Sequence, residues 1–287
     1  MSVRFFCFFM PLTMIFFACS RQDRVAVHPL AADGSSIGAV LGNVEDADAG
    51  NNNFTGLLAA ALRAAELPEN ISLEIQKGLA ASPAFILDLF SVMEGDPSLW
   101  RLVDKERSLP SDYSPGDLVE LRSGSFLVNR EGMFLRRAAA DALEAMAAAA
   151  RAEGITLVAA SAYRSYSWQT QVHNHWIQVL GREQAERVSA RPGHSQHQLG
   201  LALDFAPIDV SFAQTAAGRW IAANASRFGW SLSYPYNFEA VTGYSWEPWH
   251  FRYVGKELAA FIDNYFDGIQ QYALRFIYEW VKIADNN

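Results

Sequence analysis

Two spacings of apolar residues occur along this chain and predict its helices and strands. Apolar residues at steps of three and four, or alanine-rich runs, predict helices, and these cover residues 57–65, 136–153, 168–180 and 220–228. Short runs in which apolar residues are continuous or alternate predict strands, and these cover residues 155–158, 201–205 and 249–254. Because helices and strands mix without a regular repeat, we expect an α+β fold with a small antiparallel sheet flanked by helices.

Helical patterning continues on both sides of this region. Residues 54–100 are patterned as helices and carry no residue with evident chemistry, so we assign them to an N-terminal extension. Aromatic and aliphatic residues recur at steps of three or four from 261 to 281, which predicts one amphipathic helix packed on the body. We assign this C-terminal helix to residues 257–287 and the main domain to residues 101–256.

The first residues are typical of an export signal. Arg4 supplies a positive charge, and residues 5–17 are almost wholly apolar but short for a bilayer span. A small residue then precedes Cys19, which resembles a bacterial lipobox with Cys19 as the lipidated residue, although the usual leucine three residues earlier is absent. We expect a lipoprotein-type signal peptide at 1–19 and a tether at 20–53; a plain signal peptide or an uncleaved anchor is the alternative.

Composition and charge restrict the classes of function. Hydrophobic residues make up 51% of the 287 residues and charged residues 19%, so a packed globular body is expected. The net charge of -8 argues against a nucleic-acid-binding surface. The two cysteines, Cys7 and Cys19, both lie in the export segment. A metal site in the body must therefore use histidines and carboxylates.

The first segment with evident chemistry, residues 195–204, reads SQHQLGLALD. In a strand, its last two leucines would face the core and Asp204 would face the opposite side. Gly200 permits a turn that can fold His197 back toward Asp204. This pattern predicts one imidazole and one carboxylate directed at a common point.

The second segment, residues 246–252, reads WEPWHFR. Its alternating aromatic residues are predicted to pack on the core, so that His250 points to the polar side. Glu247 would lie on the opposite face from His250 in a regular strand. A bend at Pro248 would instead bring Glu247 to the same point as His250.

Two imidazoles, one carboxylate and an open fourth position form a catalytic type of zinc site. Zinc lowers the pKa of a bound water from about 15.7 towards ~7. A carboxylate that is not a ligand can take the proton of this water and return it to the leaving amine, and Glu247 fits that role. An arginine is also needed to stabilise the negative charge of the tetrahedral intermediate or to hold a substrate carboxylate. Arg164, which follows a predicted strand, is the best candidate.

Both segments resemble the signature of the D-alanyl-D-alanine carboxypeptidase family of zinc peptidases. That family includes VanY-like D,D-carboxypeptidases, VanX-type dipeptidases and the L,D-carboxypeptidases of peptidoglycan. Its pattern S-x-H-x-x-G-x-A-x-D is matched at every fixed position from Ser195 to Asp204, and the step from Glu247 to His250 also matches. The similarity covers roughly residues 100–256, and the fold that it implies is shared with the Hedgehog signalling domain.

The resemblance assigns roles to individual residues. It implies that a zinc ion is held by His197, Asp204 and His250, with Glu247 as general base and acid. It also implies that Arg164 engages the substrate carboxylate or the oxyanion, and that Gln169 and Ser195 belong to the substrate pocket. Many relatives have Glu where this chain has Gln196. This difference removes a negative charge beside the turn that carries His197, and it is expected to alter substrate preference.

The resemblance also implies a function. We expect a zinc-dependent D-alanyl-D-alanine carboxypeptidase of the bacterial cell envelope that trims the C-terminal residue of peptidoglycan stem peptides by metal-activated water. An L,D-carboxypeptidase acting on tetrapeptide stems and a non-catalytic, zinc-containing binding module are the alternatives. We expect an exported monomer that binds no nucleic acid and contacts the membrane only through a lipid anchor.

Overall fold

The computed structural model describes residues 49–286, with side chains described from residue 54 onward. The expected signal peptide, the expected lipidation site Cys19 and most of the expected tether lie outside these residues. The first described helix begins at Ala49, so the last residues of the range predicted as tether are helical. Among the described residues, no helix combines the length and the apolar character that a membrane span requires.

Helices dominate the described part of the chain. They are α1 (Ala49–Ala64), α2 (Glu69–Ala81), α3 (Ala84–Met93), α4 (Arg137–Ala152), α5 (Tyr166–Leu180), α6 (Arg182–Val188), α7 (Ala216–Asn224), α8 (Glu239–Thr242), α9 (Lys256–Tyr265) and α10 (Gln270–Ala284). Short 3-10 helices span Gln196–Leu199, Val210–Gln214 and Ala225–Phe228. The helix predicted at 220–228 thus begins earlier than expected and ends as a 3-10 helix.

The seven strands found among the described residues form one two-stranded ladder and one five-stranded sheet. They are β1 (Leu118–Glu120), β2 (Leu127–Val128), β3 (Phe134–Arg136), β4 (Val158–Ser161), β5 (Ala202–Phe205), β6 (Trp230–Leu232) and β7 (His250–Tyr253). β1 pairs with β3, and the larger sheet has the order β2-β4-β5-β7-β6. The two strands that carry the motif residues, β5 and β7, are therefore neighbours inside the sheet.

The α+β fold is confirmed, but the sheet is mixed rather than purely antiparallel. β4, β5, β7 and β6 pair antiparallel, whereas β2 runs parallel to β4. A parallel pair needs a crossover connection, which β3 and α4 supply here. The strand predicted at 155–158 lies three residues later, at Val158–Ser161, where Ala159 and Ala160 are buried.

Two hydrophobic cores hold the described residues together. The first packs α4 against the sheet, and Leu143, Leu203 and Phe251 are buried in it. The second joins the N-terminal helices α1–α3 to the C-terminal helices α9 and α10. In this second core the ring centroid of Phe85 lies 5.1 Å from that of Phe261. The two extensions predicted from the sequence therefore pack on each other.

The prediction of one C-terminal helix over residues 261–281 is wrong. The chain forms α9 and α10, and the break between them contains Asp267 and Gly268, both with positive φ. A helix cannot continue through two left-handed residues. The break turns the chain so that α10 returns over the main domain and begins at Gln270, which is buried.

Candidate metal centre

Asp204 and His250 lie directly opposite each other on neighbouring antiparallel strands. They are register partners in the pairing of β5 with β7. Directly opposed residues share one face of a sheet and bring their side chains close together. Oδ1 of Asp204 is 2.9 Å from Nδ1 of His250, and both side chains are buried.

His197 reaches the same carboxylate from a turn that precedes β5. It lies in the 3-10 helix Gln196–Leu199, which ends at Gly200 with a φ of 69°. This left-handed conformation favours glycine, and it folds the chain back as the sequence predicted. Nε2 of His197 lies 3.2 Å from Oδ2 of Asp204, so the carboxylate lies between two imidazoles.

Hydrogen bonds outside this cluster determine which nitrogen of each imidazole carries the proton. Nδ1 of His197 is 2.7 Å from the carbonyl oxygen of Ala162, and a carbonyl only accepts, so Nδ1 carries the proton. Nε2 of His250 is 3.2 Å from Oε1 of Gln196, so Nε2 donates there. The remaining nitrogens, Nε2 of His197 and Nδ1 of His250, present lone pairs toward the carboxylate.

The three side chains fit the ligand set of a zinc ion. One donor atom from each of His197, Asp204 and His250 lies within 4.8 Å of the others. Nε2 of His197 is buried without a hydrogen-bond partner, although a buried polar atom normally has one. Two imidazole nitrogens on rings that each make an outer hydrogen bond, together with a carboxylate oxygen, match catalytic zinc sites.

The charges of the cluster also suit a cation. Burial, together with the positive charge of Arg164, lowers the pKa of His197 to about 4, so this imidazole is neutral at neutral pH. Burial alone would raise the pKa of Asp204, but the adjacent imidazoles of His197 and His250 favour its ionised form and hold that pKa well below its usual range. The cluster therefore presents neutral imidazole and ionised carboxylate, the forms that bind a metal.

Glu247 approaches the cluster without joining its ligand set. A turn at Pro248 and Trp249 leads into β7, and the N–H of His250 donates to the carbonyl oxygen of Glu247 at 3.1 Å. The turn brings Oε2 of Glu247 to 3.6 Å from Nδ1 of His250. Burial, followed by the negative charge of Asp204, raises the pKa of Glu247 well above its usual value. The bend expected at Pro248 is thus present.

Arg164 lies on the other side of Asp204. It follows β4, and its Nη2 is 3.8 Å from Oδ2 of Asp204. Arg164 and Glu247 both line a cleft that opens beside the imidazoles of His197 and His250. A cation, a carboxylate and the candidate metal ligands therefore face the same space.

The two remaining residues assigned to the pocket, Gln169 and Ser195, line this cleft. Nε2 of Gln169 donates to the carbonyl oxygen of Ala190 at 2.7 Å, and its Oε1 has no hydrogen-bond partner. Oγ of Ser195 accepts from the backbone N–H of His197 at 3.3 Å, which caps the 3-10 helix. Ser195 therefore also supports the turn that carries His197.

Two tyrosines are among the cleft residues that were not foreseen from the sequence. Tyr234 and Tyr244 line the cleft, and the ring of Tyr234 lies 4.7 Å from that of His250. Both follow β6, in a segment without a recognised motif. His194, which adjoins the metal loop, turns away from the cluster, and its Nδ1 is 2.8 Å from the carbonyl oxygen of Asp104.

Comparisons with known proteins show which sequences and structures this chain resembles. The sequence pattern of the family VanY, D-alanyl-D-alanine carboxypeptidase, matches residues 132–256. YodJ of Bacillus subtilis (strain 168) is 37% identical over 185 residues, which are 62% of this chain and 68% of YodJ.

Two solved structures extend the likeness to the fold. The LdcB LD-carboxypeptidase is 38% identical with a TM-score of 0.53, and the match covers 58% of this chain and 85% of LdcB. A mutant of the vancomycin-resistance D,D-pentapeptidase VanY in complex with Zn(II) is 31% identical with a TM-score of 0.50, and the match covers 60% of this chain and 96% of that protein.

Proposed function

Because this chain belongs to the VanY family of D-alanyl-D-alanine carboxypeptidases, a family of metallo-enzymes, we propose that it removes the C-terminal residue of peptidoglycan stem peptides as a zinc-dependent D,D-carboxypeptidase. The observation that carries the proposal is the buried cluster of His197, Asp204 and His250, whose donor atoms converge beside Glu247. A binding module would not need a carboxylate at this position.

His197, Asp204 and His250 would hold the zinc ion. When bound, zinc supplies Lewis acidity and lowers the pKa of a bound water from about 15.7 towards ~7. The protein's part is to keep both imidazoles correctly oriented, which the hydrogen bonds to Ala162 and Gln196 do.

Glu247 moves the proton in this mechanism. Its carboxylate takes a proton from the attacking water and returns it to the amine of the departing residue. A base works best when its pKa lies near the working pH, and burial raises the pKa of Glu247 in that direction. Its position at the cleft, outside the ligand set, leaves both oxygens available for this transfer.

Arg164 supplies the positive charge of the cleft. A guanidinium there can hold the terminal carboxylate of the stem or stabilise the negative charge that develops on the peptide oxygen. Gln169 and Ser195 lie on the same cleft and would contact the peptide. The unpartnered Oε1 of Gln169 is a ready acceptor for a peptide N–H.

L,D-carboxypeptidase activity is the second candidate, because the LdcB LD-carboxypeptidase is among the similar structures. The two activities differ in the chirality of the residue before the cut. Incubation with a pentapeptide stem and a tetrapeptide stem, followed by mass measurement of the products, separates them. We expect loss of the terminal D-alanine from the pentapeptide. Cleavage of the tetrapeptide alone would show that the enzyme is an L,D-carboxypeptidase instead.

We further propose that the protein acts in the cell envelope and is attached there by a lipid on Cys19. The support is the charged and apolar pattern of residues 1–19. The full chain expressed in bacteria should partition with membranes, and Cys19→Ala should release it. Equal membrane retention of both forms would contradict lipid attachment.

A further inference from the structure

A residue outside the region matched by the family pattern is linked to the candidate metal centre through one intervening side chain. Gln270 is the first residue of α10, lies beyond residue 256, and is 1% exposed. Its Oε1 accepts from Nε2 of Gln196 at 3.3 Å. Gln196 in turn contacts the candidate ligand His250. The C-terminal helix thus joins the hydrogen bonds around the metal ligands.

The direction of these hydrogen bonds is set by a backbone carbonyl. Nε2 of Gln270 donates to the carbonyl oxygen of Ser231 at 3.2 Å, and a carbonyl only accepts. The amide of Gln270 must therefore present Oε1 to Gln196. Nε2 of Gln196 donates to that oxygen, which leaves Oε1 of Gln196 to accept from Nε2 of His250.

Ser233 supports the same orientation. Its Oγ donates to Oε1 of Gln196 at 2.8 Å and lies 3.3 Å from Oε1 of Gln270. All three of these side chains are buried, so water does not compete for the bonds. An inverted Gln196 amide would direct its N–H₂ at the hydrogen on Nε2 of His250. It would also direct its Oε1 at Oε1 of Gln270, so that two acceptors would face each other.

We propose that Gln270 is a positioning residue for the metal centre, acting through Gln196 to keep the proton of His250 on Nε2 and the lone pair on Nδ1. If the Gln196 amide turned over, Nε2 of His250 would become the acceptor, and Nδ1 would carry a proton toward Asp204. That form of His250 cannot bind a cation at the cluster. This inference rests on the proposed metal dependence, and its tests do not need turnover.

The hydrogen bond between Gln196 and α10 is needed because residue 196 is a glutamine and not a glutamate. A glutamate at position 196 accepts through either oxygen, so its orientation needs no outside control. A glutamine presents one acceptor and one donor group, and one of its two orientations blocks the ligand. Gln270 supplies the control that the amide requires.

The test compares Gln270→Met with Gln271→Met in the full chain. Gln271 is the next residue of the same helix and is also buried, but it donates to Asp104 Oδ2 and not to Gln196. Zinc affinity is measured by competition with a chromogenic chelator. We expect about a 10-fold loss for Gln270→Met, the lower end of the effect of disturbing an outer hydrogen-bond partner of a metal ligand, because Gln270 acts through Gln196. We expect less than a two-fold change for Gln271→Met.

Nitrogen-15 NMR of the chelator-treated chain gives a second readout. The imidazole of His250 should show a protonated Nε2 in the wild type and in Gln271→Met, and a mixture of the two forms in Gln270→Met. Equal zinc affinity and the same His250 form in both variants would overturn the proposal. If the wild type itself binds no zinc, the proposed function fails. If zinc affinity falls in Gln270→Met alone, the positioning role is supported.

A double variant tests whether the effect passes through residue 196. Gln196→Glu provides acceptors in every orientation, so adding it to Gln270→Met should restore zinc affinity to within about three-fold of the wild type. Failure of this rescue, with the double variant folded as judged by circular dichroism, would show that Gln270 does not act by orienting the residue at 196.

Discussion

The carboxylate of Glu247 lies 3.6 Å from Nδ1 of His250, although a regular strand would place residues three apart on opposite faces. The turn at Pro248 and Trp249 removes that restriction just before β7 begins. Glu247 therefore reaches the cluster as a neighbour of a ligand, which suits proton transfer rather than metal binding.

Glu247→Gln should abolish turnover while leaving zinc bound. The amide cannot accept the proton of the attacking water, and loss of general acid–base catalysis typically costs roughly 100- to 10,000-fold in rate. The checks are kcat on a stem peptide and zinc content per chain. Glu257→Gln, an exposed residue beyond β7, is the control and should keep both. Turnover that survives Glu247→Gln would refute the assignment of the base.

Arg164→Met should reduce kcat/KM by roughly 100- to 1,000-fold, the range seen when a donor to developing negative charge is removed. Its guanidinium lines the cleft beside Asp204. Steady-state kinetics on a stem with a free terminal carboxylate and on its amidated form locates the contact. If Arg164 holds the carboxylate, amidation and Arg164→Met should not add; if it stabilises the oxyanion, their effects should multiply. Unchanged kinetics would remove Arg164 from the site.

Gly200→Ala should lower both stability and zinc affinity. The φ of 69° costs an alanine about 1–2 kcal/mol, and its Cβ would lie 2.9 Å from Cδ2 of Leu118 and 3.0 Å from Cγ of Arg136. Gly154→Ala is the matched control, because it has a φ of 78° with nothing within 4 Å. Urea unfolding and zinc titration should show the backbone cost in both variants and the zinc defect in Gly200→Ala alone. Equal behaviour would mean that the turn tolerates a side chain.

The stability of the zinc-loaded protein should decrease as pH falls below about 6.5, partly through His173. Burial lowers the pKa of His173 from its usual value of 6.5, although Glu186, 3.7 Å away, opposes this. The unfolded chain then binds a proton that the folded chain resists, so acid favours unfolding. His173→Gln should flatten the dependence of unfolding free energy on pH between 7 and 5. His175→Gln, exposed on the same helix, should keep the wild-type slope; equal slopes in both variants would contradict this.

The cluster could be predicted from sequence because its geometry is local. Alternation along β5 and β7 fixes the faces of Asp204 and His250, and Gly200 marks the turn that returns His197. Each of these relations follows from a few neighbouring residues. Only the pairing of the two strands is long-range, and the convergence of the candidate metal-binding side chains required that pairing.

The elements that sequence reasoning missed depend on distant contacts. The two-residue strand Leu127–Val128 is too short to show a pattern, and its parallel pairing with β4 made the sheet mixed. The break at Asp267 and Gly268 interrupts a stretch whose apolar spacing looks continuous. Gln270 belongs to no motif, and only the fold brings it against Gln196.

The most direct test of the account follows release of the terminal residue from a pentapeptide stem while the chelator-treated protein is titrated with zinc. If His197, Asp204 and His250 hold the one metal ion on which the reaction depends, release should be absent at the start and complete its recovery at one equivalent of zinc per chain. Release at the untreated rate before any zinc is added would contradict the central claim.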